Sequence, residues 1–555
     1  MSEKFISEIK GFGLLEIFEG ETFENVYKRT VKEKGFEAVG AKCGEVIFDL
    51  AEKAEGHKKI EFLSVNDVEG MRIYRSSASL IMVKAAEDVI GQKCKIAIEH
   101  TINNNFYCEI RTEGIEPEEE LLRKIEERMK EISDADIPIK KELVDKEKAE
   151  KIYAEQYMEE KVRLLNYVKN DMLYIYSLDG YYDYFYSAMV PSTGYIKKFA
   201  IAKYSNGFLL QFPSIKNADV LENYDNFEKI SEVFIERLHW CQLMRASSVA
   251  DLNDCISGGI FDDLVRINEA LHEKKAAQIA DEIASKKGKI KLVLIAGPSS
   301  SGKTTFAQRL CVQLRVNGIM PHAIGMDDYF VDREHTPVDA DGKPDFENIN
   351  ALDLDLFNKH MNALIKGEEV EIPSYNFISG KKEFKGRKIQ LKEGDIIVCE
   401  GIHGLNDELT RSVPAENKFK IFISAMTQLN LDGHNRVSTS DSRLIRRIVR
   451  DSHSRGNTAE KTIETWPSVR RGEEKNIFPF QENADVIFNS ATIYELCVLK
   501  TFVVPQLYAI PKGSPAYVTA DRLLKMFDYI LGADAKCVPK NSIIREFIGG
   551  SAFKV

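Results

Sequence analysis

KIKLVLIAGPSSSGKTT, Lys289 to Thr305, decides the reading of this 555-residue chain. Leu292-Val293-Leu294-Ile295-Ala296 is a continuous apolar run, the pattern of a strand buried on both faces of a parallel sheet. It breaks at Gly297-Pro298 into small residues, and Gly302-Lys303-Thr304-Thr305 leads into FAQRLCVQLR, a helix-like run. This is G-x-x-x-x-G-K-[ST] between a strand and a helix, which predicts a P-loop. Gly297, Ser299, Ser300, Ser301, Gly302 and Thr305 are expected to hold the nucleotide: glycines and serines let backbone N–H groups wrap anionic phosphates, and the helix N-terminus adds its positive end. Lys303 offers a point charge to the β- and γ-phosphates, and Thr304 a hydroxyl to Mg²⁺. The expected ligands are ATP or GTP and Mg²⁺.

A net charge of -11, with 44% hydrophobic and 29% charged residues, is ordinary globular composition. The length is too great for one core and predicts about two to four domains. The acidic balance argues against charge-driven nucleic-acid binding, while a local basic surface for tRNA stays open. Nine cysteines without a C-x-x-C pair predict reduced thiols, with Cys43, Cys94, Cys108 and Cys399 buried in apolar surroundings. No apolar run reaches about 18 residues and no charged-then-apolar leader is seen, so no membrane contact and a cytoplasmic location are expected.

Residues 1–66 mix strand-like pieces with one helix around Phe23 to Lys34 and end in IEFLSV, a small β-rich module of ubiquitin-like size. Gly70 to Glu99 reads as a turn, a helix through SASLIMVKAAEDVIG and a strand, with NNNFYCEI following as a turn and strand. Glu118 to Asn170 is charged with helical spacing and is divided by Pro138, predicting two solvated helices. Met172 to Pro213 turns aromatic and predicts antiparallel strands.

MRIYRSSASL, IEHTINNNFYCEI, the charged helices and MVPSTGYIKKFAI resemble the N-terminal half of threonyl-tRNA synthetases over roughly residues 1–240. The resemblance implies a TGS-like β-grasp module at 1–66 and an α+β editing-like domain at 67–240. Where that family has H-x-x-x-H, this chain has Arg75-Ser76-Ser77-Ala78-Ser79. Where it has a later Cys and His, Phe185-Tyr186-Ser187-Ala188-Met189 stands. Hydrolytic or metal chemistry needs imidazole and thiolate at such places. His100 is single and reads as structural. The expectation is a fold kept without deacylase chemistry, in a binding, regulatory or assembly role.

Residues 241–288 read as a linker region, with a helix from Phe261 to Lys287 whose apolar stripe is Leu264, Ile267, Leu271 and Ile279. Beyond the P-loop, PHAIGMDDYF ends in Asp327-Asp328-Tyr329, placing carboxylates at the carboxyl end of a parallel strand, where doubly wound folds bind ligands. DIIVCE carries Glu400 at its end, the position for an acid that orders Mg²⁺. Arg443, Arg446, Arg447 and Arg450 fall at helical spacing, with Arg455 one turn on. Such a cluster neutralises phosphoryl charge and suits a lid.

In this order the segments resemble the uridine kinase and phosphoribulokinase family of P-loop kinases over roughly residues 285–500. The resemblance implies a doubly wound kinase domain at 289–555 and assigns the catalytic base to Asp327, within MDDYF. FENINALD puts Glu347 where the family holds ribose hydroxyls. Pro373-Ser374-Tyr375-Asn376-Phe377 keeps the aromatic pair that cradles a pyrimidine, while Gly380 stands where a base-contacting histidine is found. Tyr329, Tyr375 and Phe377 are thus expected around the acceptor. Arg443 matches a substrate-contacting arginine, Arg443 and Arg447 are expected to assist transfer, and Arg450 and Arg455 to hold the donor. The expectation is phosphorylation of the 5′-hydroxyl of uridine or cytidine. Another nucleoside, a phosphorylated sugar or a tRNA-binding regulator are the alternatives, and a homo-oligomer is possible.

Overall fold

The computed structural model describes residues 4–224, 227–338, 342, 344–426 and 429–554. The P-loop strand Leu292–Ala296 is central in a five-stranded parallel sheet. Ile396–Glu400 and then Pro321–Gly325 lie on one side, Lys418–Ser424 and then Val486–Asn489 on the other. All five residues of Leu292–Ala296 are buried, as the unbroken apolar run requires. The chain leaves the central strand toward one edge and returns to fill the other. The carboxyl ends of Leu292–Ala296 and Ile396–Glu400 therefore meet at the switch in strand order, where a crevice opens.

The first 63 residues hold a five-strand sheet around the helix Phe23–Thr30, with Lys4–Ile9 parallel to Lys59–Leu63 and the remaining pairs antiparallel. This is the β-grasp arrangement. The α+β region that follows packs the helices Val68–Ile90 and Glu119–Asp134 on an antiparallel sheet built from Ile96–Ile102, Asn105–Ile110, Ala200–Tyr204 and Gly207–Gln211.

Several local expectations change. Gly70 does not turn the chain but lies inside the helix Val68–Ile90, because a Cβ there would sit 1.9 Å from the Ser64 carbonyl oxygen. After Pro138 the chain forms the strand Lys140–Asp145 before the helices Lys146–Glu155 and Glu159–Leu165. On Phe261–Ser285 the buried face includes Leu264, Val265, Asn268, His272 and Ile279, whereas Ile267 is 44% exposed. The nine cysteines are free thiols; Cys43, Cys108 and Cys399 are buried and Cys94 half-buried. No helix among the described residues is long and apolar enough to cross a membrane.

The two halves share one core. Val144, Tyr153, Leu164 and Trp240 belong to the same apolar cluster as Val293, Phe306, Ile421 and Leu444. A buried ionic network also joins them. Lys161 pairs with Asp183 and, at 3.1 Å, with Asp432, and His434 Nδ1 lies 2.6 Å from Asp183. Burial works against the Lys161 ammonium, but Asp183 and Asp432 hold it above its ordinary value. Ser79, Phe185 and Met189 are buried, and His100 stacks on Phe234 with ring centroids 3.4 Å apart. Ser79, Phe185 and Met189 thus serve packing, whereas Arg75 stays half-buried.

Candidate active site

The P-loop follows its strand at once. A Cβ on Gly297 would lie 1.9 Å from the Ile423 carbonyl oxygen, so only glycine lets the loop cross the neighbouring strand there. Gly302 has φ +83°, the left-handed region that glycine enters without strain, and it opens the helix Lys303–Val316. Ser300 and Ser301 are buried beneath the loop. Lys303 Nζ donates to the carbonyls of Gly297 and Pro298 at 2.9 and 3.1 Å, which folds the ammonium back over the loop. Thr304 Oγ1 donates to Glu400 Oε1 at 3.1 Å, bringing together a hydroxyl and a carboxylate, the hard oxygen donors that suit Mg²⁺.

Asp327 sits just past the strand Pro321–Gly325. Burial raises its carboxyl, Asp328 adds to the rise, and Lys303 and Arg455 oppose it. Burial pushes Glu400 up to about 7, with Lys303 opposing and Asp327 and Glu546 reinforcing. It likewise pushes Glu347 up to about 7, reinforced by Glu473 and Asp327 and opposed by Lys303 and Arg447. Lys303 is the cation that opposes the rise at Asp327, Glu347 and Glu400 alike. A carboxyl raised toward neutrality accepts a hydroxyl proton more readily than one left in its ordinary range.

Behind Asp327 stands an aromatic wall. Phe330 meets Phe346 and Tyr375 edge-on, each at 5.5 Å, and Tyr375 meets Phe377 at 5.1 Å. Tyr375 is buried, and Phe377, 59% exposed, forms the rim. Tyr329 does not face this space. It is fully buried against Phe357, and its hydroxyl is 3.1 Å from His360 Nδ1. Tyr329 closes the short 3-10 turn Met326–Tyr329 and packs into the apolar core with Phe357 and Met361. Gly380 has φ +69°, and Arg333 packs where its Cβ would be, donating to the Phe377 carbonyl.

The arginines lie on the helix Thr439–Ser454, capped by Ser438, and divide their work. Arg447 Nη1 donates to Ser299 Oγ at 2.8 Å, and Asp451 gathers Arg447, Arg450 and Arg455 at 3.3, 2.8 and 3.7 Å. Arg446 is spent on structure, held by Glu495 at 2.6 Å and the Ser490 carbonyl at 2.8 Å. Arg443 is buried, reaches the Ser299 carbonyl at 3.2 Å, and is held by both oxygens of Glu473. The helix lies against the P-loop rather than standing off it as an open lid.

Two acids not singled out in the sequence complete the site. Glu473, on the helix Ala459–Asn476, is fully buried and accepts from the Ser299 amide at 2.9 Å and from Arg470 at 3.1 Å. Its neighbour Gly472 lets that helix close on Glu347, whose Cγ would be 2.6 Å from a Cβ there. Glu546 accepts from the Thr305 amide and hydroxyl at 3.2 and 2.8 Å. Both carboxylates sit on P-loop amides that suit phosphate oxygens. A crevice of about 630 Å³ opens beside Thr304, between Arg450, His453 and Arg455 and the C-terminal residues Glu546 and Phe553.

The sequence model of the phosphoribulokinase / uridine kinase family matches residues 292–496. A uridine kinase of Halalkalibacterium halodurans is 30% identical over 198 residues, 35% of this chain and 84% of that one. A uridine kinase of Deinococcus deserti is 29% identical over 194 residues, again 35% and 84%. A threonine–tRNA ligase of Rubrobacter xylanophilus is 29% identical over 194 residues, 35% of this chain and 30% of the ligase.

Proposed function

The chain belongs to the phosphoribulokinase / uridine kinase family, and from that membership we propose that it transfers the γ-phosphoryl group of ATP to the 5′-hydroxyl of uridine or cytidine. The observation that carries the reading is that Asp327, Glu347 and Glu400 are all raised carboxyls opposed by Lys303, with the aromatic cluster of Phe330, Tyr375 and Phe377 beginning three residues past Asp327. The P-loop receives the triphosphate, and Lys303 swings from its carbonyl partners onto the β- and γ-phosphates. Thr304 and Glu400 hold Mg²⁺, which when bound offsets charge on the phosphoryl oxygens. Asp327 takes the proton of the attacking hydroxyl. Glu347 holds the sugar hydroxyls, while Tyr375 and Phe377 hold the ring of the base. Arg447, with Arg443 once Glu473 yields it, spreads the charge that develops during transfer. Arg450 and Arg455 line the crevice that suits the donor nucleoside.

A second acceptor reading has one observation in its favour. Gly380 brings no side chain to the place that would distinguish one base from another, and Arg333, which packs there, gives Nη2 to the Phe377 carbonyl. The test is a panel of uridine, cytidine, adenosine, guanosine and sugar phosphates with ATP and Mg²⁺, scored by kcat/KM. Uridine and cytidine should lead by about tenfold or more, the scale set by a methylene-sized misfit. If neither outruns the other acceptors, the pyrimidine assignment falls.

A further inference from the structure

Where the two halves meet, two arginines face the same aromatic ring without a counter-ion. Arg75 lies on the helix Val68–Ile90 with its guanidinium carbon 5.9 Å from the Phe106 ring and 5.4 Å from the Phe212 ring. Arg436, from the loop leading into the arginine helix, approaches Phe106 at 5.4 Å. Neither guanidinium has an ion pair or hydrogen bond among the described residues, and the Nε of each is shielded and unpartnered. Both side chains are half-exposed, yet burial depresses both guanidiniums, Arg75 to about 10, with Arg436 the next cause acting on Arg75. Each guanidinium is thus partly reachable from solvent while its Nε is shielded by protein.

The acids nearby are already committed. Asp441 is taken by Arg522 at 2.7 and 2.8 Å, and Glu99 by Arg111 and by Arg237, the latter at 2.7 Å. Arg72 is spent on Glu69 at 2.5 Å. Glu222 acts on Arg75 without forming an ion pair. A partly enclosed charge without an ion-pair partner is unfavourable, and arginine has no neutral form near neutral pH to escape it; Asp441 and Glu99 offset Arg436 only from beyond contact. Two guanidinium forks from two segments, both close to the Phe106 ring, match the charge of a dianion.

We propose that Arg75 and Arg436, converging on the Phe106 ring, together form a binding site for a phosphoryl dianion, as free phosphate or as a small phosphate monoester. The site is separate from the P-loop and does not rest on the acceptor assignment. Arg436 lies two residues before Ser438, the cap of the arginine helix, so an occupant would bear on that helix from the synthetase-like half.

The experiment uses the full chain carrying Lys303→Ala, which weakens phosphate binding at the P-loop and prevents turnover. Inorganic phosphate and glycerol 3-phosphate are titrated separately by calorimetry and by thermal melting. Saturable binding with a rise in melting temperature is expected. Arg75→Gln added to this background should weaken binding by about tenfold or more, the loss of a charge-assisted fork. Arg75→Lys, which keeps the charge without the fork, should weaken it less. Binding of phosphate alone would mark a free-anion site, and tighter binding of glycerol 3-phosphate a monoester site. Absence of saturable binding in the Lys303→Ala chain overturns the proposal whether or not the arginine variants fold. So does equal binding by Arg75→Gln and its parent. Neither result depends on kinase turnover, so the failure of this site and the failure of the pyrimidine reading are separately visible.

Discussion

At the residue scale the site is a contest between burial and a single lysine. Asp327, Glu347 and Glu400 are each raised by burial, and Lys303 pulls each back. Asp327→Asn should lower kcat by about 10²–10⁴ while leaving ATP binding intact, the range for a lost general base. Calorimetric titration beside a turnover assay measures both, and near-parental turnover would remove Asp327 as base. Glu347 gives a pH signature. Its folded value of about 7 stands above the ordinary 4.5, so the folded state holds this proton more tightly than the unfolded chain. The stability it contributes is full below about 4.5 and is lost as pH rises through 7. Glu347→Gln should therefore melt higher than the parent at pH 8, by up to about 3 kcal/mol at 1.36 kcal/mol per pH unit. The difference should vanish near pH 4.5. Melting curves across that window check it, and a pH-independent difference would contradict the assignment.

At the element scale the arginine helix and the helix after it form one clamp. Arg446 anchors the first to Glu495, while Glu473 on the second ties Arg443 to the P-loop amide of Ser299. Glu473→Gln leaves Arg443 and Arg470 facing a neutral side chain in a closed space, a loss of about 3–5 kcal/mol by the rule for a broken buried pair. Denaturant melts should show it, and Arg443→Met combined with Glu473→Leu should recover much of the loss. An unchanged midpoint in Glu473→Gln would mean that water, not protein, compensates these arginines. The expectation of a lid is thereby sharpened. In this structure the helix is already closed, and a carboxylate on another helix occupies its first arginine.

At the scale of the whole molecule the halves are not independent units on a linker. Their apolar residues form one cluster, and the network of Lys161, Asp183, Asp432 and His434 bridges them. Calorimetry of the full chain should show these halves melting in one transition, lowered as a whole by Asp183→Asn. Residues 289–555 expressed alone should be aggregation-prone, because Val293, Phe306 and Leu444 share a core with residues that would be missing. Separate transitions with only the earlier one moved by Asp183→Asn would refute a shared core.

The P-loop, the acids ending the strands Pro321–Gly325 and Ile396–Glu400 and the spacing of the arginines were legible in the sequence. Each is a local pattern, set by which residue follows an apolar run or recurs at a helical interval. The β-grasp and synthetase-like half was legible by resemblance, and the loss of its imidazoles and thiol by substitution. The meeting of Ser299 with Glu473, 174 residues away, and of Thr305 with Glu546, 241 away, was not. Nor was the facing of Arg75 and Arg436 across the two halves. No periodicity records such pairs, because packing of distant elements brings them together. Whether an arginine meets a carboxylate or an aromatic ring depends on those neighbours. The order of strand, phosphate loop and helix was therefore determined by the sequence itself, and the partners of each charge only by the tertiary structure.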